Sequence, residues 1–448
     1  MKLIFTILLI APLFSFAQTR KEVKVIHQKQ IDFYNQKKAS QNEKIANFWD
    51  KIKNDNPEIY EQRILHLKND SIRLSKKRDD NTQIVLKKLE SLDINSHYID
   101  LENSSLEEIP NQVFDMINID TLKLTNHHFK TIPKKLNQLK KLKYLDLSKN
   151  DLSSSKIRFS KLKKLEYLNL SQCSLTKLPK GLRKLKNLKV LVLTENPLED
   201  TKKIQHLKNL ESLKLNKTIV PLDPYSIGKL KKLKKLNMNE CQLLEIPPKI
   251  KRMKDLESIV MARNNIKIVP GELSQLQKLD NLILYENEIE NLPLSFFQLT
   301  ELKELDLYHN KITHLPKEIG QLTKLNTLYI SFNQISTLPV EMQSLVELKK
   351  LYAHHNNLEY IFDFSSLKKL EVLYLQDNKL YDFPNSILSL SNLVELDLSG
   401  NKITSFPSDI KHFKNIEIVN LSDNMVESID SLKKDLEVMT KNGVIVNL

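Results

Sequence analysis

Residues 302–316 read Leu302-Lys303-Glu304-Leu305-Asp306-Leu307-Tyr308-His309-Asn310-Lys311-Ile312-Thr313-His314-Leu315-Pro316, and the same frame returns at Leu325 and ends at Pro339. The shared pattern is L-x-x-L-x-L-x-x-N-x-L-x-x-L-P. Working outward, copies begin at positions 96, 119, 142, 165, 188, 210, 233, 256, 279, 302, 325, 348, 370, 393 and 416. Twelve of the fourteen spacings are 23 residues and two are 22, so the register holds over fifteen units. Apolar residues at the first, fourth, sixth and eleventh positions are expected to point inward. One unit cannot bury them alone, so neighbours must stack and share a core. The x-L-x-L-x stretch has a period of two, which predicts a short strand with one buried face.

The ninth position holds asparagine in ten units, from Asn150 and Asn196 through the unbroken run Asn264 to Asn424. A polar group inside the stack is costly unless hydrogen-bonded. An amide offers two donors and an acceptor to the backbone turns of adjacent units, so these asparagines read as scaffold. Earlier units carry Ser104, His127, Cys173, Thr218 and Cys241 there, and the N-terminal half is expected to be less regular and to open more easily. Most units also place a proline after the fourteenth position, among them Pro133, Pro179, Pro293, Pro316, Pro339 and Pro407. Its fixed φ and missing N–H suit a turn leaving a strand.

These units resemble the leucine-rich-repeat superfamily in its 23-residue form with a Leu-Pro element, over about residues 92–448. The resemblance implies an α/β solenoid: a right-handed, curved horseshoe with a parallel β-sheet on the concave face and short helical or extended segments outside. Some bacterial repeat proteins carry a ubiquitin-ligase domain with a nucleophilic cysteine, but neither cysteine of this chain lies outside the repeats. Nor does the sequence contain G-x-S-x-G, H-E-x-x-H, G-x-x-x-x-G-K-[ST] or C-x-x-C. No enzyme activity and no cofactor are expected. Cys173 and Cys241 are three rungs apart, on the order of 14 Å at the usual strand spacing. A disulfide needs Cα atoms within about 7 Å, so both are expected to be buried thiols.

The 448 residues include only six glycines, which predicts few positive-φ turns. Lys2, the apolar run Leu3–Phe16 and the small residues Ser15 and Ala17 read as a signal peptide over 1–17. No cysteine follows it, so a lipoprotein anchor is not expected, and no later apolar run is long enough to span a bilayer. The protein is expected to be exported, periplasmic or secreted. Residues 18–91 are charged and helical in pattern, a cap or spacer ahead of a solenoid over 92–427. Within them Ile45, Phe48, Trp49 and Ile52 form one stripe, a second helix is expected from Pro57 to about Lys77, and a third from Thr82 into Ser91. Residues 428–448 read as a C-terminal cap: Ile429, Leu432, Leu436 and Met439 line a helix that Gly443 stops, and Val444-Ile445-Val446 supplies a final strand.

Positions three, five, seven and eight should leave the core and form the concave surface. Early units place mixed residues there, including Tyr144, Tyr167, Asn169, Val190, Val192, Lys214, Asn237 and Asn239. From the ninth unit they become aromatic: Tyr285, Tyr308, His309, Tyr329, Phe332, Tyr352, His354, His355 and Tyr374. Glu286, Glu304, Asp306, Asp377, Glu395 and Asp397 flank them. Aromatics favour strands and stack on neighbouring rungs for stability alone. Tyrosine is also the profile of an interface hot spot, a rigid surface with a polar tip. The three histidines lack the spacing of a known metal site.

The net charge of +14 raises anionic partners, and the lysines concentrate in the outer segments of the N-terminal half. Solvated lysine is the plain reading; an anionic envelope polymer or surface is the other. Export argues against nucleic acid. The leading expectation is therefore a non-enzymatic recognition or adhesion scaffold with a protein partner, and the alternative is a binder of carbohydrate or envelope polymer.

Overall fold

A computed structural model describes Lys53 and residues 57–447, apart from 105, 154–156, 219–227, 408–409, 411–412 and 427–429. The expected signal peptide, the Ile45–Ile52 stripe, Ile429 and Leu432 lie outside the described residues or side chains. Sixteen parallel strands form one open sheet in chain order, β1 (Tyr98–Asp100) through β16 (Ile445–Asn447). Each strand is three residues long and pairs in register with the next unit, as Leu305 does with Leu328 and Leu328 with Leu351.

The strands are short because only positions three to five are extended. Position four is always the inward residue, and Leu145, Leu168, Leu305 and Leu328 are fully buried. Leu302, Leu307 and Ile312 complete the same unit's contribution and are also fully buried. Burying each such side chain contributes roughly 1.5–3 kcal/mol against the entropy of ordering the chain. After the fifteenth-position proline the chain enters a 3-10 turn on the outer side. Pro293 and Pro316 stand immediately before such turns in an extended conformation, and their carbonyls accept from Phe296 and Ile319. The outer layer is thus built of 3-10 turns.

The asparagine ladder works as expected. Asn310 Nδ2 donates to the Leu284 carbonyl of the preceding unit at 3.1 Å and to the Leu307 carbonyl of its own unit at 3.0 Å. Its Oδ1 accepts from the Ile289 N–H at 3.1 Å. The substitutes keep part of this pattern. Cys173 Sγ donates to the Leu147 carbonyl, Cys241 Sγ to the Leu215 carbonyl, and Thr218 Oγ1 to the Leu193 carbonyl. Both thiols are free and buried, and burial pushes them up to about 12, out of the range of reactive thiolates.

Two expectations are corrected. The second and third helices are one, α1, running from Pro57 to Glu90. The Arg78-Asp79-Asp80-Asn81 stretch between them contains neither glycine nor proline, so no helix breaker separates the two. Its last turns reach the repeats: Val85 and Leu89 are buried in the core, and Asn81 Nδ2 donates to the Glu102 carbonyl at 3.4 Å. The second correction concerns glycine. In all fifteen units the eighth residue has positive φ, and in fourteen it is not glycine, from Asn103 to Asp423, with Gly400 the exception. Backbone hydrogen bonds between units, such as Asn103 N–H to the Thr125 carbonyl and His309 N–H to the Ser331 carbonyl, both at 2.9 Å, hold these turns without glycine.

α2 (Gln112–Asp115) is a single short turn in the first unit, whereas at the other end α3 (Asp430–Lys441) closes the stack. Leu436 and Met439 are buried. The Gly443 N–H donates to Thr440 and the Val444 N–H to Met439, with Gly443 at φ +88. This left-handed stop turns the chain into β16.

Candidate functional site: an aromatic column between two aspartates

The parallel register places position five of successive rungs side by side. From β10 (Glu304–Asp306) to β14 (Glu395–Asp397) that column reads Asp306, Tyr329, Tyr352, Tyr374, Asp397. All five side chains are half-buried on the open face of the sheet. Tyr329 and Tyr352 stack with centroids 4.6 Å apart and planes 4° apart. Tyr374 meets Tyr352 edge to face at 5.3 Å, and its hydroxyl donates to the Glu395 carboxylate.

The two aspartates differ. Asp397 accepts from Ser399 N and Oγ and from Asn420 Nδ2. Asp306 accepts the Tyr308 N–H at 3.0 Å, and burial, with Glu304 nearby, pushes its carboxyl up to about 6. Burial also raises the hydroxyls of Tyr329 and Tyr352. The tyrosines therefore act near neutral pH as rings with hydrogen-bond donors.

A second cluster lies where the chain leaves the strands. His309, Phe332 and His355 occupy the left-handed eighth position, which turns them onto the rim. Phe332 stacks on His355 at 4.0 Å and lies 6.0 Å from His309. Tyr308 and His354, from the seventh position, meet Phe332 edge to face at 5.2 and 5.4 Å. His355 Nδ1 lies 3.3 Å from Asp377. His354 is pushed down to about 4 by burial, with His355 adding to the effect. It is neutral at pH 7.

The sequence-predicted aromatics thus fall into a sheet column and a rim cluster. Tyr285 joins neither by ring contact; the Arg263 guanidinium lies 5.7 Å from its ring, and Arg263 pairs with Glu286 at 3.2 Å. Two groups escape sequence reasoning. Ser331 Oγ and Gln376 Oε1, both at position seven, are buried without a hydrogen-bond partner among the described residues. Small polar residues at that position carry no pattern that could have flagged them. A further stack, Tyr144 on Tyr167 at 4.1 Å and 5°, sits on the open face in the N-terminal half. Cross-rung stacking alone therefore does not mark the C-terminal patch; the bracketing acids and the adjoining rim do. Among the described residues no three His, Cys, Asp or Glu side chains could hold a metal ion, and no helix is long and apolar enough to cross a membrane.

Residues 277–335 and 300–358 match a model described as Leucine rich repeat, and residues 163–208 and 391–434 match one described as Leucine Rich repeats (2 copies). No curated protein is similar in sequence. Among solved structures, an LRR protein of Leptospira interrogans is 30% identical, with a TM-score of 0.69 over 81% of this chain and 98% of that one. An internalin, InlF, of Listeria monocytogenes is 23% identical, with a TM-score of 0.56 over 75% of this chain and 88% of that one, a likeness of fold. The plant peptide hormone receptor RGFR1, in complex with RGF2, is 28% identical, with a TM-score of 0.54 over 75% of this chain and 64% of that one. With repeat, ladder and sheet in agreement with these matches, the chain belongs to the leucine-rich-repeat family.

Proposed function

We propose that this chain is a non-enzymatic, exported recognition scaffold that holds a protein partner along the concave face of its sheet, on the Tyr329–Tyr352–Tyr374 column and the His309–Phe332–His355 rim. The observation that carries the reading is the bracketing of three contiguous tyrosines by Asp306 and Asp397 in one register-fixed column. Tyrosine supplies contact area with little rotamer entropy to lose. The acids at either end suit a segment bearing Lys or Arg on both sides of an apolar stretch. Residues 255–448 carry 18 Lys and Arg against 27 Asp and Glu, a balance of −9, so the surrounding field favours a basic partner as well. The plant receptor of similar fold is solved with its peptide hormone, which supports a peptide-binding reading. Export rests on the signal-like residues 1–17.

Binding of a sugar polymer is the other reading, and the ring geometry weighs against it. Tyr329 and Tyr352 lie 4° from parallel and cover one another's faces, whereas a pyranose ring stacks on a free aromatic face. Affinity capture from envelope extract and medium tests the proposal. The wild-type chain should retain a protein that the Tyr329→Ala/Tyr352→Ala variant loses. Equal retention by both would reject the site, and glycan-array binding in place of protein capture would favour the second reading.

A further inference from the structure

The charge of the chain is divided along its length. Residues 134–254 hold 31 Lys and Arg against 10 Asp and Glu, a balance of +21, next to the balance of −9 in residues 255–448. Much of the excess falls on one edge. Two residues before the leucine that opens each strand segment stand Lys140, Lys163, Lys186, Lys208, Lys231 and Lys254, in six consecutive units. The four units that follow place Gln277, Thr300, Thr323 and Val346 there, and lysine returns only singly, at Lys368 and Lys414 on either side of Ser391. All six lysines are exposed. Four residues before the leucine, Lys161, Lys184, Lys229 and Arg252 thicken the row.

Backbone ties fix the spacing of this row. Asn187 Nδ2 donates to the Lys163 carbonyl at 2.9 Å, and Asn209 Nδ2 to the Lys186 carbonyl at 2.7 Å. Successive lysines are therefore one rung apart, and six span roughly 24 Å at about 4.8 Å per rung. The side chains remain uncompensated. None of the six forms an ion pair among the described residues. On the same edge in the other half, lysines are matched with carboxylates: Lys278 with Asp255 at 2.6 Å, Lys303 with Asp280 at 3.1 Å, Lys324 with Glu301 at 2.6 Å. The basic half does build such pairs one step from the ridge, Lys189 with Glu166 at 2.8 Å and Lys234 with Glu211 at 3.3 Å, yet leaves the ridge position itself without a carboxylate. Crowding is felt within the row: burial and the neighbouring Lys229, Lys186 and Lys231 lower the Lys208 ammonium below its ordinary value.

We propose that this lysine ridge binds a linear acidic polysaccharide, a polyuronate-type chain whose carboxylates, carried one per sugar along an extended polymer, lie across successive rungs. The ridge is a line rather than a plane. Among the described residues between 134 and 254 one large apolar side chain is exposed, Leu244, twelfth in its unit and beyond the other end of the strand. Nothing on the ridge could anchor in a lipid surface. Nucleic acid fits less well. Single strands are held by bases stacking on aromatic platforms, and Tyr144 and Tyr167, the ring pair of this half, are stacked on each other on the sheet face. The ridge lies at the N-terminal ends of the strands in the opposite half from the aromatic column, so the two sites stand or fall separately.

The test uses the full chain and immobilised polygalacturonate at low and moderate salt, with neutral dextran as the blank. A Lys163→Gln/Lys186→Gln/Lys208→Gln/Lys231→Gln variant should bind at least tenfold more weakly, with a shallower dependence of log affinity on log salt. A control of equal charge loss in the same half but off the ridge, Lys149→Gln/Lys177→Gln/Lys180→Gln/Lys202→Gln, should change less than threefold. Should the ridge variant melt early, replacing the same four lysines with arginine keeps the charge and should keep the binding. Equal losses in the two glutamine variants would overturn the assignment by reducing it to net charge. Tighter binding of the wild-type chain to a single-stranded oligodeoxynucleotide, or to phosphatidylglycerol vesicles, would overturn it in favour of those surfaces. Absence of polygalacturonate binding at low salt would end it outright.

Discussion

Tyr329 and Tyr352 are direct register partners on neighbouring parallel strands, with their rings 4.6 Å apart and 4° from parallel. Both rings lie half-buried on the open face of the sheet, because position five points away from the leucine core. The pair should therefore be separable from folding. Such aromatic pairs are worth about 0.5–1.5 kcal/mol beyond burial. A double-mutant cycle with Tyr329→Ala and Tyr352→Ala, read by urea denaturation, should return a coupling in that range, while the protein-capture assay loses its partner entirely. A coupling near zero would mean that the rings only share a surface.

The ladder makes the opposite kind of prediction. Asn310 ties Leu284 and Leu307 carbonyls and the Ile289 N–H, and it is buried. Asn310→Ala strands several backbone groups at once, each costing about 1–3 kcal/mol when buried. Solenoid stability is a sum of local terms, so the loss should appear as a separate early transition around the ninth to eleventh rungs. Hydrogen exchange at the Ile289 and Ile312 amides should show it. Cys241→Ala, which removes one weak thiol donor to Leu215, should cost about 1 kcal/mol or less on the same physical ground. If the two substitutions cost the same, the amide has no special part in the ladder.

Much of this was legible in the sequence for a physical reason. A leucine at positions one, four and six has a single low-energy destination, and fifteen rungs in register follow from repeating it, with the final strand Ile445–Asn447 added after α3. The column of Tyr329, Tyr352 and Tyr374 was equally legible, because period-two alternation sends position five outward. The rim was not. His309, Phe332 and His355 owe their direction to a left-handed backbone that propensity assigns to glycine. Position eight adopts it in units with and without a ninth-position asparagine, its N–H donating to the seventh-position carbonyl of the next unit as His309 does to Ser331, a tertiary constraint that residue type does not display. Tyr285 meets Arg263, five residues beyond the start of the previous unit's strand, and α1 runs unbroken through Asp79 and Asp80. Neither leaves a pattern.

That left-handed position offers a stabilising substitution. Lys149 has φ 58, an exposed side chain, and an N–H that donates to the Ser171 carbonyl at 2.9 Å. An L-residue there carries roughly 1–2 kcal/mol of local strain, and glycine removes it at an entropic cost of about 0.5–1 kcal/mol. Lys149→Gly should therefore raise stability by about 0.5–1 kcal/mol, and Lys149→Asn by less. His355→Gly should not, since it also removes the ring stacked at 4.0 Å on Phe332. Midpoints of denaturation for the three variants decide it; a destabilised Lys149→Gly would show that the turn carries no strain.

The same patch holds two titrating groups of opposite sense. Asp306, raised to about 6, holds its proton more tightly in the folded chain than in the unfolded one. Its contribution to stability is full below about pH 4 and is lost as pH rises through 6. His354, lowered to about 4, binds its proton less tightly when folded. Its contribution is present above about pH 6.5 and is lost as pH falls through 4, and His127, lowered to about 4 by burial, acts in the same direction. Between pH 4 and 6 the terms oppose each other and should flatten the pH profile of the wild-type chain. Asp306→Asn removes one side of the balance. At pH 7 the variant should be more stable than wild type by up to about 3 kcal/mol, the equivalent of two pKa units, and at pH 3.5 the difference should vanish. Partner capture should move the other way: an ionised Asp306 is what a cationic segment would seek, so affinity should fall as pH drops from 7 to 5 in the wild type and be low throughout in Asp306→Asn. Capture that is indifferent to both pH and substitution would remove Asp306 from the contact and leave the tyrosines to account for it alone.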